Sequence, residues 1–187
     1  KGNGVHRVSP QARHYSMKYR SNVLWIGKKG CIRISNDNSG SIDLAVFRST
    51  VEREILNGKK IACVVLSAGN SLDNTVDRIR EVREIVDELV TRHNLEYTPH
   101  IHADSVIGWA WLFFRQYDFE KNVLALDVNV LEKIQSMYKK VHEIEYADSA
   151  GVDFHKNGFS PYITSLFLTK KTQNLYSLNR EKSVDSI

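Results

Sequence analysis

The chain has 187 residues, 42% of them hydrophobic, which is enough for one domain with a buried core and short for two. Its net charge of +4 suits an anionic ligand, but the basic residues stand as scattered pairs, Lys28-Lys29, Lys59-Lys60, Lys139-Lys140 and Lys170-Lys171. Nucleic-acid binding requires a denser basic stripe and is not expected. No stretch approaches the ~20 apolar residues that span a bilayer, the longest being Val106 to Phe114, and Lys1 to Pro10 holds no secretory-signal pattern, so no membrane association and a soluble cytoplasmic protein are expected. Cys31 and Cys63 have neither metal-ligand nor disulfide-framework spacing, which agrees with a reducing compartment.

In chain order, residues 14–25 have the pattern of a helix, Cys31 to Ser35 that of a strand, and Ile42 to Leu56 that of a helix with Leu44, Phe47, Val51 and Ile55 inward and Gly58 as terminator. Ile61 to Leu66 is a continuous apolar run of the kind buried on both faces of a parallel sheet, and it ends in the small-residue turn Ser67-Ala-Gly-Asn-Ser71. Residues 74–94 carry Val76, Ile79, Val82, Val86, Leu89 and Val90 at helical spacing, with Asp73 or Asn74 as cap and Asp77 favouring the N-terminus. Pro99 stops that pattern, and His100 to Asp104 reads as the next strand, completing a strand, helix, strand crossover. Further on, 128–141 predicts a helix, Glu145 to Val152 a strand, and Tyr162 to Thr169 an alternating strand. The aromatic cluster Trp109, Trp111, Phe113 and Phe114 suits a core or a dimer interface. Strands and helices interleave throughout, which makes an α/β domain the expected class, with a loose polar tail from about residue 172.

Ligands of such folds gather at the carboxyl ends of the strands. Three segments put candidate residues there: Ser71 after one strand, Asp104 after the next, and His155 with Lys156 after a third. A lysine following a histidine at the end of a short apolar run can hold an aldehyde cofactor as an imine, and an aspartate at another strand's end can keep a pyridine nitrogen protonated. Taken singly, each residue has a plainer use. Lys156 suits a solvated surface, Asp104 a turn or helix cap, Ser71 and Asn70 an ordinary turn, and Asp148 with Ser149 the satisfaction of nearby backbone groups. His100-x-His102 also fits a pair of metal ligands on one strand face, although no third ligand has the spacing to complete a site.

Four blocks in order give these residues a common context. They are Ser9-Pro-Gln-Ala-Arg-His14-Tyr15-Ser16-Met-Lys18, Ser67-Ala-Gly-Asn-Ser71 with Asp77, His102-Ala103-Asp104-Ser105, and Ala147-Asp148-Ser149 followed by His155-Lys156. The set resembles the group II pyridoxal phosphate-dependent decarboxylases, the family of aromatic amino acid, glutamate and diaminobutyrate decarboxylases, whose patterns are S-x-Q-x-H-x-S, T-x-G-T-T, H-V-D-A and A-D-S with x-H-K. The resemblance implies the fold type I, aspartate aminotransferase-like large domain. It further implies that Lys156 forms the covalent imine with pyridoxal 5'-phosphate, that Asp104 pairs with the pyridine nitrogen, and that His14 stacks on the ring. His155 would then approach the phosphate, and Ser71 would take the place of a threonine hydroxyl near the cofactor. A carboxylate beside a pyridinium favours the cationic ring, which absorbs the electrons left when carbon dioxide departs.

The chain departs from the family pattern at several points. Asn70 replaces a threonine, Arg13 is inserted before the histidine, and Asp153 stands near the phosphate where some members have asparagine. From Asp104 to Lys156 is 156 − 104 = 52 residues, longer than in several members of the family, so the resemblance implies an insertion in the 112 to 142 segment. The family's phosphate-binding turn would lie before His14, and its catalytic loop and small domain after Lys156, so the chain is read as the central part of a longer enzyme. On this reading the complete protein is a homodimeric amino acid carboxy-lyase, and the isolated chain is not expected to turn over substrate. The neighbouring possibilities are a sphingosine phosphate lyase-like aldehyde-lyase of the same fold and a non-catalytic scaffold.

Overall fold

The computed structural model describes residues 5–10, 30–70, 73–157 and 160–173. Six strands form one sheet: β1 (Val5–Pro10), β2 (Cys31–Ile34), β3 (Lys60–Ser67), β4 (His100–Asp104), β5 (Ser149–Asp153) and β6 (Ser165–Thr169). Their order is β2-β1-β3-β4-β5-β6. Every pairing is parallel except the last, where β6 runs antiparallel to β5. The expected α/β class, a mostly parallel sheet with flanking helices, is the one observed.

The helices α1 (Leu44–Leu56), α2 (Ile79–Arg92) and α3 (Val128–His142) follow from their sequences. Asp43 caps α1, accepting hydrogen bonds from the amides of Ala45 and Val46 at 3.0 Å. The helix ends at Asn57-Gly58, where Gly58 takes a left-handed φ of 72° that costs a glycine little. Phe47 and Val51 of α1 and Ile79, Val82, Val86 and Leu89 of α2 are buried against Val8, Ile34, Val64, Leu66, Ile101 and Ala103 of the sheet. This is the hydrophobic core, built from the apolar stripes visible in the sequence.

Three expectations need correction. Helix α2 starts at Ile79, and neither Asp73 nor Asn74 caps it. Asn74 has a φ of 59°, Asp73 binds the Thr75 amide at 3.0 Å and Val76 bridges to Ala68, so residues 73–77 fold back along the exit of β3. The buried Asp77 carboxylate accepts the amides of Ile42 at 2.8 Å and Ser67 at 2.6 Å, tying the entry of α1 to the end of β3. Strand β5 begins at Ser149 because Glu143–Tyr146 form a 3-10 turn and Asp148 accepts from the Ile101 amide at 2.7 Å and from Arg83 at 2.5 Å. Strand β6 starts at Ser165, after a turn in which the Thr164 hydroxyl donates to the Pro161 carbonyl at 2.9 Å.

Strand β1 was not expected at all. Its His6, Arg7 and Pro10 interrupt any apolar run, yet Val8 is fully buried and Arg7 nearly so, with a guanidinium nitrogen 3.3 Å from Cys31 Sγ. The helix read over 14–25 lies outside the described residues, as does the tail beyond 173. The 112 to 142 segment forms the rest of a 3-10 helix (Gly108–Gln116) and α3, joined through packed rings of Phe114, Tyr117, Phe119 and Tyr138.

Candidate cofactor site

Side chains alternate across a strand, and residues directly opposite in register share a face. Ile101 and Ala103 of β4 point into the core, so His100, His102 and Asp104 lie on the other face. Ser67, Asp104, Gly151 and Phe167 are register partners in successive strands, as are His102, Ser149 and Thr169. Asp153 pairs with Ser165 one step beyond. One end of the face opposite the core therefore gathers Asp104, His102, Ser149, Gly151 and Asp153. A rise of about 3.3 Å per residue and a strand spacing of about 4.8 Å put the Cα atoms of Asp104 and Asp153 roughly 8 Å apart.

The exits of β4 and β5 are strapped together. Ser105 donates from its amide at 3.0 Å and its hydroxyl at 2.9 Å to the Gly151 carbonyl. The Trp109 indole donates to the Asp153 carbonyl at 3.1 Å, and the Asn157 side-chain amide donates to the Ile107 carbonyl at 2.9 Å. Trp109 also meets Phe154 edge to face at 4.9 Å. Close contact continues towards β3: a Cβ on Gly108 would lie 1.8 Å from the Ala68 carbonyl oxygen, so only glycine lets these two turns touch.

Asp104 Oδ1 is buried without a hydrogen-bond partner. A desolvated carboxylate oxygen of this kind is costly unless something donates to it. On the same face, the Ser149 hydroxyl lies 2.8 Å from His100 Nε2 and 2.8 Å from His102 Nδ1. The His102 ring stacks on Phe167 at 5.8 Å. Thus the two histidines read as possible metal ligands share a serine, and no group of three metal-binding side chains occurs among the described residues.

Beyond β5 the turn presents His155 and Lys156. Lys156 Nζ lies 3.0 Å from Asp153 Oδ2, whose other oxygen accepts the Ser165 hydroxyl at 2.6 Å. His155 Nε2 is 4.0 Å from Asp153 Oδ2, and its Nδ1 is 3.0 Å from the Thr164 carbonyl oxygen. Burial alone pushes the Asp153 carboxyl up, but the Ser165 hydroxyl, the Lys156 ammonium and His155 outweigh it and hold the group below the usual carboxylate range. The structure therefore brings Asp104, Asp153, His155 and Lys156 to one end of the sheet. His14 and Ser71 lie outside the described residues.

Sequence reasoning missed the parts played by Ser149, Ser165 and Trp109. Ser149 sits in the Ala-Asp-Ser block and was taken only as a backbone partner. Ser165 carries no signal of its own, because its meeting with Asp153 depends on the antiparallel register of β6.

The fold is a mostly parallel six-stranded sheet with flanking helices. Similar solved structures share it: Oryza sativa TDC with PLP and tryptamine has a TM-score of 0.76 at 12% identity, covering 99% of this chain and 33% of that one. Catharanthus roseus tryptophan decarboxylase in complex with L-tryptophan has a TM-score of 0.72 at 14% identity, covering 94% of this chain and 32% of that one. Among curated proteins, L-2,4-diaminobutyrate decarboxylase of Acinetobacter baumannii is 22% identical over 168 residues, 90% of this chain and 28% of the relative. Aspartate 1-decarboxylase of Aliivibrio fischeri is 24% identical over 178 residues, 95% of this chain and 27% of the relative. No family model matches the chain.

The chain is similar in fold and in sequence to these decarboxylases, at 22% and 24% identity to the two curated relatives. It spans a little over a quarter of the length of the curated relatives, 28% and 27% in the two cases. No helix among the described residues is long and apolar enough to cross a membrane.

Proposed function

We propose that the chain is the cofactor-holding centre of a longer pyridoxal phosphate-dependent decarboxylase acting on an L-amino acid. The observation that carries this reading is the buried Asp104 Oδ1, left without a donor at the end of β4 and strapped to the turn that bears Lys156. Pyridoxal phosphate would supply an electron sink for the pair released when the α-carboxylate departs as carbon dioxide.

The chain's own residues take the following parts. Asp104 accepts a proton-bearing ring nitrogen at the oxygen that has no protein donor, and it favours the protonated form of that nitrogen. Lys156 supplies the amine for covalent attachment. His155 stands beside it as a donor for the phosphate, while His14 and Ser71 would complete the pocket from the preceding blocks. Asp153 fixes the amine through its carboxylate. Gly151 brings no side chain between Asp104 and Phe167 on their shared rung, and a Cβ added there would meet the His102 ring at 3.6 Å, an ordinary contact. The Trp109 and Phe154 rings pack edge to face at 4.9 Å beside the turn.

The complete enzyme would be a homodimer, with side-chain selectivity for the substrate supplied by segments beyond the described face. Reduction by borohydride after incubation with pyridoxal 5'-phosphate, followed by peptide mapping, tests the reading. A pyridoxyl group on Lys156 is expected, and label confined to other lysines refutes it.

A further inference from the structure

Exposed lysine–aspartate pairs three residues apart are common and contribute little. The pair at the end of β5 differs from them in its surroundings. The Asp153 side chain is only 16% exposed, and Lys156, at 32%, is drawn back onto it from the turn. Both carboxylate oxygens are engaged, Oδ1 by Ser165 of β6 at 2.6 Å and Oδ2 by Lys156 at 3.0 Å. Strand β6 thus fixes the carboxylate, and the carboxylate fixes the amine.

We propose that Asp153 is a positioning residue for Lys156, holding its amine as an ion-pair partner and yielding it when an aldehyde-bearing phosphate arrives, so that this contact sets the rate of cofactor capture. The inference rests on the functional reading above and adds a control step to it. Two groups with opposite demands meet at Asp153: the amine is held by the carboxylate, while an incoming phosphate dianion is repelled by it. Among the described residues the titratable groups against Asp153 are Lys156 and His155; β6 contributes the uncharged Ser165 hydroxyl, and the 3-10 helix the Trp109 indole.

Capture forms a carbon–nitrogen double bond between Nζ and the aldehyde carbon and breaks the carbon–oxygen double bond. Two hydrogens of the ammonium leave with the aldehyde oxygen as water, and the third passes to solvent or stays on nitrogen. Nothing is oxidised or reduced. The nitrogen must leave the carboxylate 3.0 Å away to reach the aldehyde carbon, so that contact is broken before the new bond forms. Replacing Asp153 by the isosteric asparagine removes the opposing charge while leaving Ser165 a hydrogen-bond partner.

The test compares the full 187-residue chain with its Asp153→Asn and Asp153→Glu variants. Each is mixed with pyridoxal 5'-phosphate, quenched with borohydride at timed intervals from pH 7 to 10, and mapped for label at Lys156, with melting curves confirming that each is folded. Asp153→Asn, which removes the ion-pair partner, is expected to label Lys156 about tenfold faster than the parent. Asp153→Glu, which keeps the charge, is expected to stay within about threefold of the parent at every pH, as one methylene shifts a contact without removing it. Equal labelling rates in the parent and Asp153→Asn across the range overturn the proposal and leave the functional reading standing. An absence of label on Lys156 in all three proteins overturns both.

Discussion

The two faces of β4 and β5 divide the molecule's work between them. On one face Ile101, Ala103, Ala150 and Val152 are buried, the first three within the core that α1 and α2 close. On the other, one residue along in each case, stand His100, His102, Asp104, Ser149, Gly151 and Asp153. The first face is held by apolar area and tolerates no polar atom without a partner. The second carries a partnerless buried carboxylate oxygen, a serine shared by two histidines and a lysine tied to an aspartate. Stability and the proposed ligand chemistry are therefore separable by residue, although they occupy the same ten positions of backbone.

Lys156→Ala breaks the chemical side most completely. All borohydride-fixed pyridoxyl at position 156 should disappear in mass spectrometry, while the unfolding free energy in urea stays within about 0.5 kcal/mol of the parent, as for most changes away from the core. Phe47→Ala should do the reverse, lowering the unfolding free energy by about 3–5 kcal/mol through a core cavity. Its folded fraction should still take up label at Lys156.

Asp77→Ala sharpens the comparison, because Asp77 joins the core to the site's edge. Leaving the Ile42 and Ser67 amides unpaired should cost about 3 kcal/mol in the same urea titration.

Acid gives a smaller and graded effect. The carboxyls of Asp37, held down by Ser39, of Glu52, held down by His93 and Arg92, and of Asp153 all lie below their ordinary range. Their stabilisation is present above the unfolded values, near 4, and is lost as pH falls through the folded ones. Glu143 runs the other way: burial raises its carboxyl, so it opposes folding at neutral pH, and that opposition fades as acid protonates it. A urea midpoint that falls steadily below about pH 4 is expected, and Glu143→Gln should raise the midpoint at pH 7.

Most of the framework was legible because it rests on apolar periodicity. Phe47 and Val51, Val64 and Leu66, and Val82, Val86 and Leu89 were read as inward and are buried. What escaped the sequence depends on partners far along the chain. Strand β1 hides because Arg7 and Pro10 break its pattern, and it becomes a strand only between β2 and β3. The late start of α2 reflects Asp77 being used by Ile42 and Ser67, contacts 35 and 10 residues away. At the site, Asp104, His155 and Lys156 were legible as ordered blocks at strand ends. Their neighbours Ser149 and Ser165 were not, because a hydroxyl gains its meaning from register.

The central claim is that Asp104 and Lys156 hold opposite ends of one pyridoxal ring. A crystal structure of the chain reduced in the presence of pyridoxal 5'-phosphate measures it directly. The account predicts continuous density from Lys156 Nζ to the ring and a pyridine nitrogen within about 3 Å of Asp104 Oδ1, the reach of a charge-assisted hydrogen bond. A ring attached to Lys156 but turned so that its nitrogen faces solvent, or attached to another lysine, would contradict it.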